Sequence, residues 1–230
     1  MSTIGIIYIA IGNDHLQLAI ESAISVIEAG NSENILILTN VDYPRSLIIS
    51  FNDGISFQDI RPNIDMFGDL EHSCLVAYLK TRLYKYSPFD KTLFLDNDIR
   101  AVSKISDIWG FVDNWIGFAP AFNPLDLWTS YATDSEEQAT AQVLKIDDLS
   151  QRNSGMFLFG KSPELTKFFD NWFGEWLRFE KHENMSLTRM LKRHNIATIT
   201  MPSIYNEFYP NRTNDSVLIH YISWYKRFLD

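Results

Sequence analysis

Residues 92–101 read TLFLDNDIRA. Thr92 to Leu95 suit a buried strand, and Asp96 and Asp98 then follow with a single residue between them. Side chains at i and i+2 of an extended segment point the same way, so these two carboxylates can reach one cation together. Left without a counter-charge they would repel, and one of them would hold its proton more tightly. All-oxygen ligands suit Mg²⁺, Mn²⁺ or Ca²⁺. Asp-Asn-Asp is also good turn composition, so the triplet by itself does not decide the matter. The apolar approach Leu93-Phe94-Leu95 favours the metal.

The surrounding pattern alternates strand and helix. Residues 4–11, IGIIYIAI, read as a buried strand followed by a Gly-Asn-Asp turn. A helix with Ile20, Ala23, Ile24 and Ile27 on one face comes next, and Gly30 stops it. Residues 34–39, NILILT, are a second buried strand. This strand, helix, strand opening predicts a parallel α/β unit with a right-handed crossover. Segments 46–51 and 55–60 are weaker strands. A helix is expected over 69–86, carrying Leu75, Tyr78, Leu79, Leu83 and Tyr86 and stopped by SPFD at 87–90. Further strands are expected at 115–122, 155–160, 196–200 and 216–221. A short acidic helix is expected at 134–146. Ser162-Pro163 opens a helix running to about residue 181, with a cap and then proline in the first turn, and another helix covers 184–194. No repeat, linker or low-complexity tract divides the 230 residues, so one α/β domain is predicted.

Composition narrows the function. Apolar residues make up 46% of the chain and aromatics 14%, enough for a large core. The net charge of −9 comes with no Lys/Arg cluster, which argues against nucleic acid and against a polybasic membrane anchor. Cys74 is the single cysteine, so neither an internal disulfide nor a cysteine zinc site is available. It sits beside Leu75, Val76 and Ala77 and reads as a small buried apolar residue. The opening MSTIGIIYIAIGNDH has no basic leader, and its apolar run is shorter than the ~20 residues a bilayer span needs. The expectation is a soluble, cytoplasmic protein with no integral membrane segment and an oligomeric state the sequence leaves open. Open α/β sheets bind ligands beyond the carboxyl ends of their strands, where this chain carries Gly12-Asn13-Asp14, Thr39-Asn40 and Asp96-Asn97-Asp98.

KTRLYKYSPFDKTLFLDNDIRAVSKISDIW, 80–109, resembles the donor-binding segment of nucleotide-sugar glycosyltransferases with the GT-A fold, closest to glycosyltransferase family 8 and its bacterial relatives. Three further blocks follow in the family's order: RNSGMFLF at 152–159, HENMSLTRML at 182–191 and LIHYISWYK at 218–226. The resemblance implies a Rossmann-like, mostly parallel sheet flanked by helices, with a nucleotide-binding half over 1–110 and an acceptor-side half over 111–230. It implies Mn²⁺ or Mg²⁺ bound by Asp96, Asp98 and His220, and a nucleotide diphosphate sugar as donor. Lys226, six residues after His220, would contact the diphosphate. Ser223 stands where the family has glycine, and no Pro-Trp follows Lys226. Arg82 would reach the donor sugar or phosphate, and Glu183, Asn184, Asn153, Ser154 and Gly155 would surround the sugar. Ala10, Ile11, Asn13, Asp14, Thr39 and Asn97 would line the nucleotide. Gly12 occupies the place of the family's aspartate, so uridine is expected but not fixed.

The implied activity is transfer of a hexose from a UDP-sugar to a glycan or other hydroxyl acceptor, with retention at the anomeric carbon. Glu183, Asn153 and Arg82 are the candidate catalytic residues, with Glu183 stabilising developing positive charge. No side chain stands out as a nucleophile. For the acceptor, the irregular stretch 121–134 with Trp128 is the better candidate. Phe169, Trp172 and Trp176 have the helical spacing of core residues. Two rivals remain: a nucleotide-sugar-binding protein without transfer activity, and a haloacid-dehalogenase-like phosphatase. The second also follows a strand with Asp-x-Asp, but Ile99 replaces its usual threonine and the strand comes late in the chain. A nucleotidyltransferase would need a basic glycine-rich loop that AIGNDHLQ lacks.

Overall fold

The computed structural model describes residues 3–43, 54–65, 70–120, 134–143, 152–181, 183–209 and 211–221. The expected strand at 46–51, the acceptor stretch around Trp128 and Lys226 lie outside them. The elements run β1 (Ile4–Ala10), α1 (Asn13–Glu28), β2 (Asn34–Thr39), β3 (Ile55–Asp59), α2 (Arg61–Ile64), α3 (His72–Tyr86), β4 (Lys91–Leu95), β5 (Ile99–Ala101) and β6 (Ile116–Pro120). After these come α4 (Asp134–Val143), β7 (Arg152–Gly160), α5 (Pro163–Trp176), α6 (Glu183–Arg193), β8 (Ile199–Thr200), β9 (Glu207–Phe208) and β10 (Leu218–His220). Among the described residues, no helix is long and apolar enough to cross a membrane.

Seven strands form one sheet in the order β3-β2-β1-β4-β7-β6-β8. The pairs β1–β2, β1–β4, β2–β3 and β6–β8 are parallel, whereas β4–β7 and β6–β7 are antiparallel. The expectation of a mostly parallel sheet holds. Alternation explains why its central strands read as unbroken apolar runs. Leu93 and Leu95 join the core on one face with Met156 and Leu158, against α1. Phe94 joins the other with Phe157 and Phe159, against α3, α5 and α6. Both faces are covered, so both need apolar side chains. The second face is aromatic: Phe157 lies 4.9 Å from Phe94, 5.5 Å from Phe118 and 5.8 Å from Trp172, between ring centroids. Each such ring taken from water contributes roughly 1.5–3 kcal/mol. Phe169, Trp172 and Trp176 are buried, as their spacing predicts.

Local chemistry sets the element ends. Ser162 caps α5, its Oγ accepting from the Leu165 amide at 3.3 Å, and Pro163 follows at the first helical position. That helix stops at Trp176, not near 181, and Glu180 turns the chain with a φ of 52°. The Gly-Asn-Asp turn is shorter than expected. Gly12 alone makes it, at φ 84°, and Asn13 already begins α1.

A second, three-stranded sheet of order β5-β10-β9 was not expected. Its strands are two or three residues long, too short for a periodicity to show. It nevertheless builds half of the site.

Candidate active site

Asp96 leaves the large sheet at the end of β4, and its amide donates to the Gly155 carbonyl of β7 at 2.7 Å. The chain turns through Asn97 and Asp98 and enters β5. There β10 pairs with it antiparallel, setting His220 opposite Ile99. The Tyr221 amide donates to the Asp98 carbonyl at 2.8 Å. Main-chain pairing thus delivers a histidine from the far end of the chain beside the second aspartate. His220 Nε2 lies 3.2 Å from Asp98 Oδ1. Ligand atoms of Asp96, Asp98 and His220 all fall within 4.8 Å of one another.

Gly155 makes the convergence possible. A Cβ there would sit 2.7 Å from Asp96 Oδ2 and 2.8 Å from both Asn153 Oδ1 and His220 Cε1. The backbone of β7 is thus the floor on which these three side chains meet. Two carboxylates and an imidazole, with no thiolate, fit Mn²⁺ or Mg²⁺, and the nitrogen favours Mn²⁺.

Lys80 completes the cluster. Its Nζ lies 2.9 Å from Asp96 Oδ1 and 2.9 Å from Glu183 Oε1, at 3% exposure for the residue. Burial alone would push the ammonium's pKa down, but the two carboxylates outweigh it and raise the pKa. Asp96 moves the other way from a usual paired acid. Burial lifts its pKa, Lys80 opposes the lift and Asp98 adds to it. Glu183, in the first turn of α6, also accepts from Ser154 Oγ at 2.9 Å. A carboxylate gripped by an ammonium and a hydroxyl is fixed in place.

Lys80, Asp96, Asp98 and Glu183 border a cleft of about 510 Å³ at the carboxyl edge of the sheet. Its other wall comes from α1 and α3 through His15, Leu18, His72 and Val76. Asn97 lines it too. Its Nδ2 donates to the Ile9 carbonyl at 2.8 Å, while its Oδ1 is buried with no hydrogen-bond partner among the described residues.

Other expected residues take humbler places. Ala10 and Ile11 are fully buried, and Thr39 Oγ1 accepts from the Val41 amide at 3.2 Å. Asn13 and Asp14 are exposed on α1, and neither lines the cleft, where His15 from the same turn does. Asn153 Oδ1 accepts from the Gly155 amide at 2.8 Å, and Asn184 Oδ1 from the Ser154 amide at 3.1 Å. Arg82 needs correction. Its Nη1 pairs with Asp170 at 3.3 Å and its guanidinium lies over Phe173, on the side of α3 that packs against α5. Two residues along a helix turn the side chain by roughly 200°, so Lys80 and not Arg82 meets the aspartates. The spacing His72, Val76, Lys80 carried the signal, since i, i+4, i+8 share one face. Asn40, expected here at the end of β2, accepts from the Gly12 amide through its Oδ1 at 2.9 Å.

No protein-family model matches the chain, and no curated protein sequence matches it. Solved structures do. The apo structure of WbbM, a bifunctional glycosyltransferase, matches with a TM-score of 0.68 at 14% identity, over 96% of this chain and 46% of that one. Apo mouse xyloside xylosyltransferase 1 matches with a TM-score of 0.65 at 12% identity, over 96% and 98%. The chain has the GT-A fold. The galactosyltransferase LgtC, in complex with donor and acceptor sugar analogues, agrees, with a TM-score of 0.65 at 18% identity over 94% and 86%. The chain thus spans less than half of WbbM and most of the other two. In this GT-A domain the carboxyl edge of the sheet holds the acidic cluster and the cleft.

Proposed function

We propose that the chain is a divalent-metal-dependent glycosyltransferase. It would move a sugar from a nucleotide diphosphate sugar, a UDP-sugar foremost, to a hydroxyl of a glycan or similar acceptor, with retention. The meeting of Asp96, Asp98 and His220 beside a cleft at the carboxyl edge of a GT-A sheet carries this reading.

Asp96, Asp98 and His220 would hold Mn²⁺ or Mg²⁺. A bound ion would offset the charge that collects on the diphosphate as its bond to the sugar breaks. The chain's own residues supply the rest. Lys80 sets a positive charge between Asp96 and Glu183 on the wall of the cleft. Glu183, fixed by Lys80 and Ser154, is already engaged as an acceptor, which suits it to face positive charge developing on the sugar better than to remove a proton. Asn97 Oδ1 would accept from a ribose hydroxyl and so end its isolation. Lys226 and closure of the C-terminal segment remain part of the proposal, as does an acceptor site near Trp128.

The test is release of nucleoside diphosphate from a panel of nucleotide sugars with Mn²⁺, with and without chelator. Chelator-sensitive release supports the reading. Donor binding without turnover, or cleavage of a simple phosphate monoester instead, overturns it.

A further inference from the structure

His220 has two ring nitrogens, and only one can face the aspartates. Nε2 does, 3.2 Å from Asp98 Oδ1. The other, Nδ1, lies 3.1 Å from Oδ1 of Asn206. Both residues are buried, at 7% and 4% exposure. The imidazole stacks on Phe208 at 5.0 Å between centroids and 19° between planes, so packing fixes the ring plane. What packing cannot fix is the position of the ring proton. An amide oxygen only accepts, so the contact with Asn206 favours a proton on Nδ1. The Asp98 carboxylate facing Nε2 also only accepts, and once a cation takes up Asp98 the Nδ1–H form leaves the Nε2 lone pair free to join it.

Asn206 is itself held by the backbone. It follows the short 3-10 turn Ser203–Tyr205, and its amide donates to the Ser203 carbonyl at 2.8 Å. The next two residues form β9, which pairs with β10 so that Phe208 lies beside His220. Its Nδ2 is buried and has no hydrogen-bond partner among the described residues. Burying an unpaired amide is unfavourable, and a purely structural position would do better with an apolar residue of the same shape. The asparagine is accounted for if its oxygen is what matters.

We propose that Asn206 is a positioning residue for His220. It holds the Nδ1–H tautomer and thereby presents Nε2 as a ligand for a divalent cation. This rests on the metal site proposed above. An outer partner of this kind changes metal affinity by roughly 10–100-fold when removed.

Two measurements test it. In the full chain with ¹⁵N-labelled histidine, long-range ¹H–¹⁵N correlation of the metal-free protein should show His220 protonated on Nδ1. A proton on Nε2 with none on Nδ1 overturns the proposal. Calorimetric titration with Mn²⁺ alone should then show Asn206→Leu weaker by roughly 10–100-fold, with Asn206→Asp, which keeps the accepting oxygen, within about threefold of wild type. If His220→Ala loses Mn²⁺ binding while Asn206→Leu keeps it, the role of Asn206 falls and the metal site stands. If His220→Ala binds as wild type does, the metal site itself falls. Should Asn206→Leu not fold, the wild-type tautomer and the Asn206→Asp affinity decide.

Discussion

Two groups of buried charge share the helix α6 and differ in what they face. Arg189 of α6 is fully buried, yet it reaches Glu136 at 3.0 Å, Glu175 at 3.3 Å and Thr140 Oγ1 at 2.9 Å, with Phe179 under its guanidinium. Arg178 and Arg193 also contact Glu175, so three guanidiniums meet two carboxylates. Six residues earlier, Glu183 belongs to a group in which Lys80 lies between Asp96 and Glu183 and His220 meets Asp98. The first group closes on itself and joins α4, α5 and α6. The second gathers Asp96, Asp98 and His220 within 4.8 Å of one another beside a cleft, with a carboxyl whose pKa burial has raised. Acids and an imidazole that converge beside an open cleft, unlike charges sealed in the core, point to a ligand.

If that contrast is sound, substitutions in the two groups should have opposite signatures. The largest effect belongs to Asp98→Ala. Removing one metal ligand should lower Mn²⁺-dependent turnover of a nucleotide sugar by roughly two to four orders of magnitude. The urea midpoint should hold or rise, because one of three crowded carboxylates is gone. A large loss of stability with activity intact would break the comparison. Arg189→Met should show the reverse. It takes the buried guanidinium away from Glu136 and Glu175, and breaking a buried pair costs about 3–5 kcal/mol of stability. Turnover per folded molecule should change little, and denaturant unfolding beside steady-state kinetics checks both halves.

Added Mn²⁺ sharpens the contrast without touching the Arg189 group. At a hundredfold excess over its Kd, a ligand that binds only the folded state stabilises it by about 2.7 kcal/mol. Thermal unfolding with and without Mn²⁺ should show that gain in wild type and in Arg189→Met, and not in Asp98→Ala. An equal gain in all three would place the cation elsewhere.

Much of this was legible in the sequence, for reasons that also mark the limit. The runs at 4–11, 34–39, 92–95 and 155–160 became β1, β2, β4 and most of β7, because a strand covered on both faces must be apolar throughout. Asp96 and Asp98 announced themselves by ending such a run. The meeting with His220 rested on resemblance alone, since it depends on pairing between three-residue strands that carry no period. Lys80 was passed over because the resemblance pointed to Arg82, which lies about 200° away around α3 and turns to Asp170 and Phe173 of α5. Asn206 gave no signal at all. A side-chain contact between two irregularly spaced positions leaves nothing in local pattern to read.

The smallest effect tests where the two groups join. Ser154 touches no aspartate, but its Oγ donates to Glu183 Oε1 at 2.9 Å, and its amide donates to Asn184 Oδ1 at 3.1 Å. The N-terminus of α6 is thereby fastened to β7 at the floor of the site, while Arg189 fastens the same helix to α4 and α5. Ser154→Ala removes one hydrogen bond to a charged group and leaves the amide contact, a loss of about 1.5 kcal/mol. If Glu183 acts where charge develops on the sugar, that loss should appear as roughly a tenfold fall in kcat with KM nearly unmoved. If the hydroxyl only secures the helix, the same loss should appear in unfolding and leave kcat alone. Combining it with Arg189→Met separates the cases further. Sites that act independently add, whereas a shared role in holding α6 would make the double variant's stability depart from the sum.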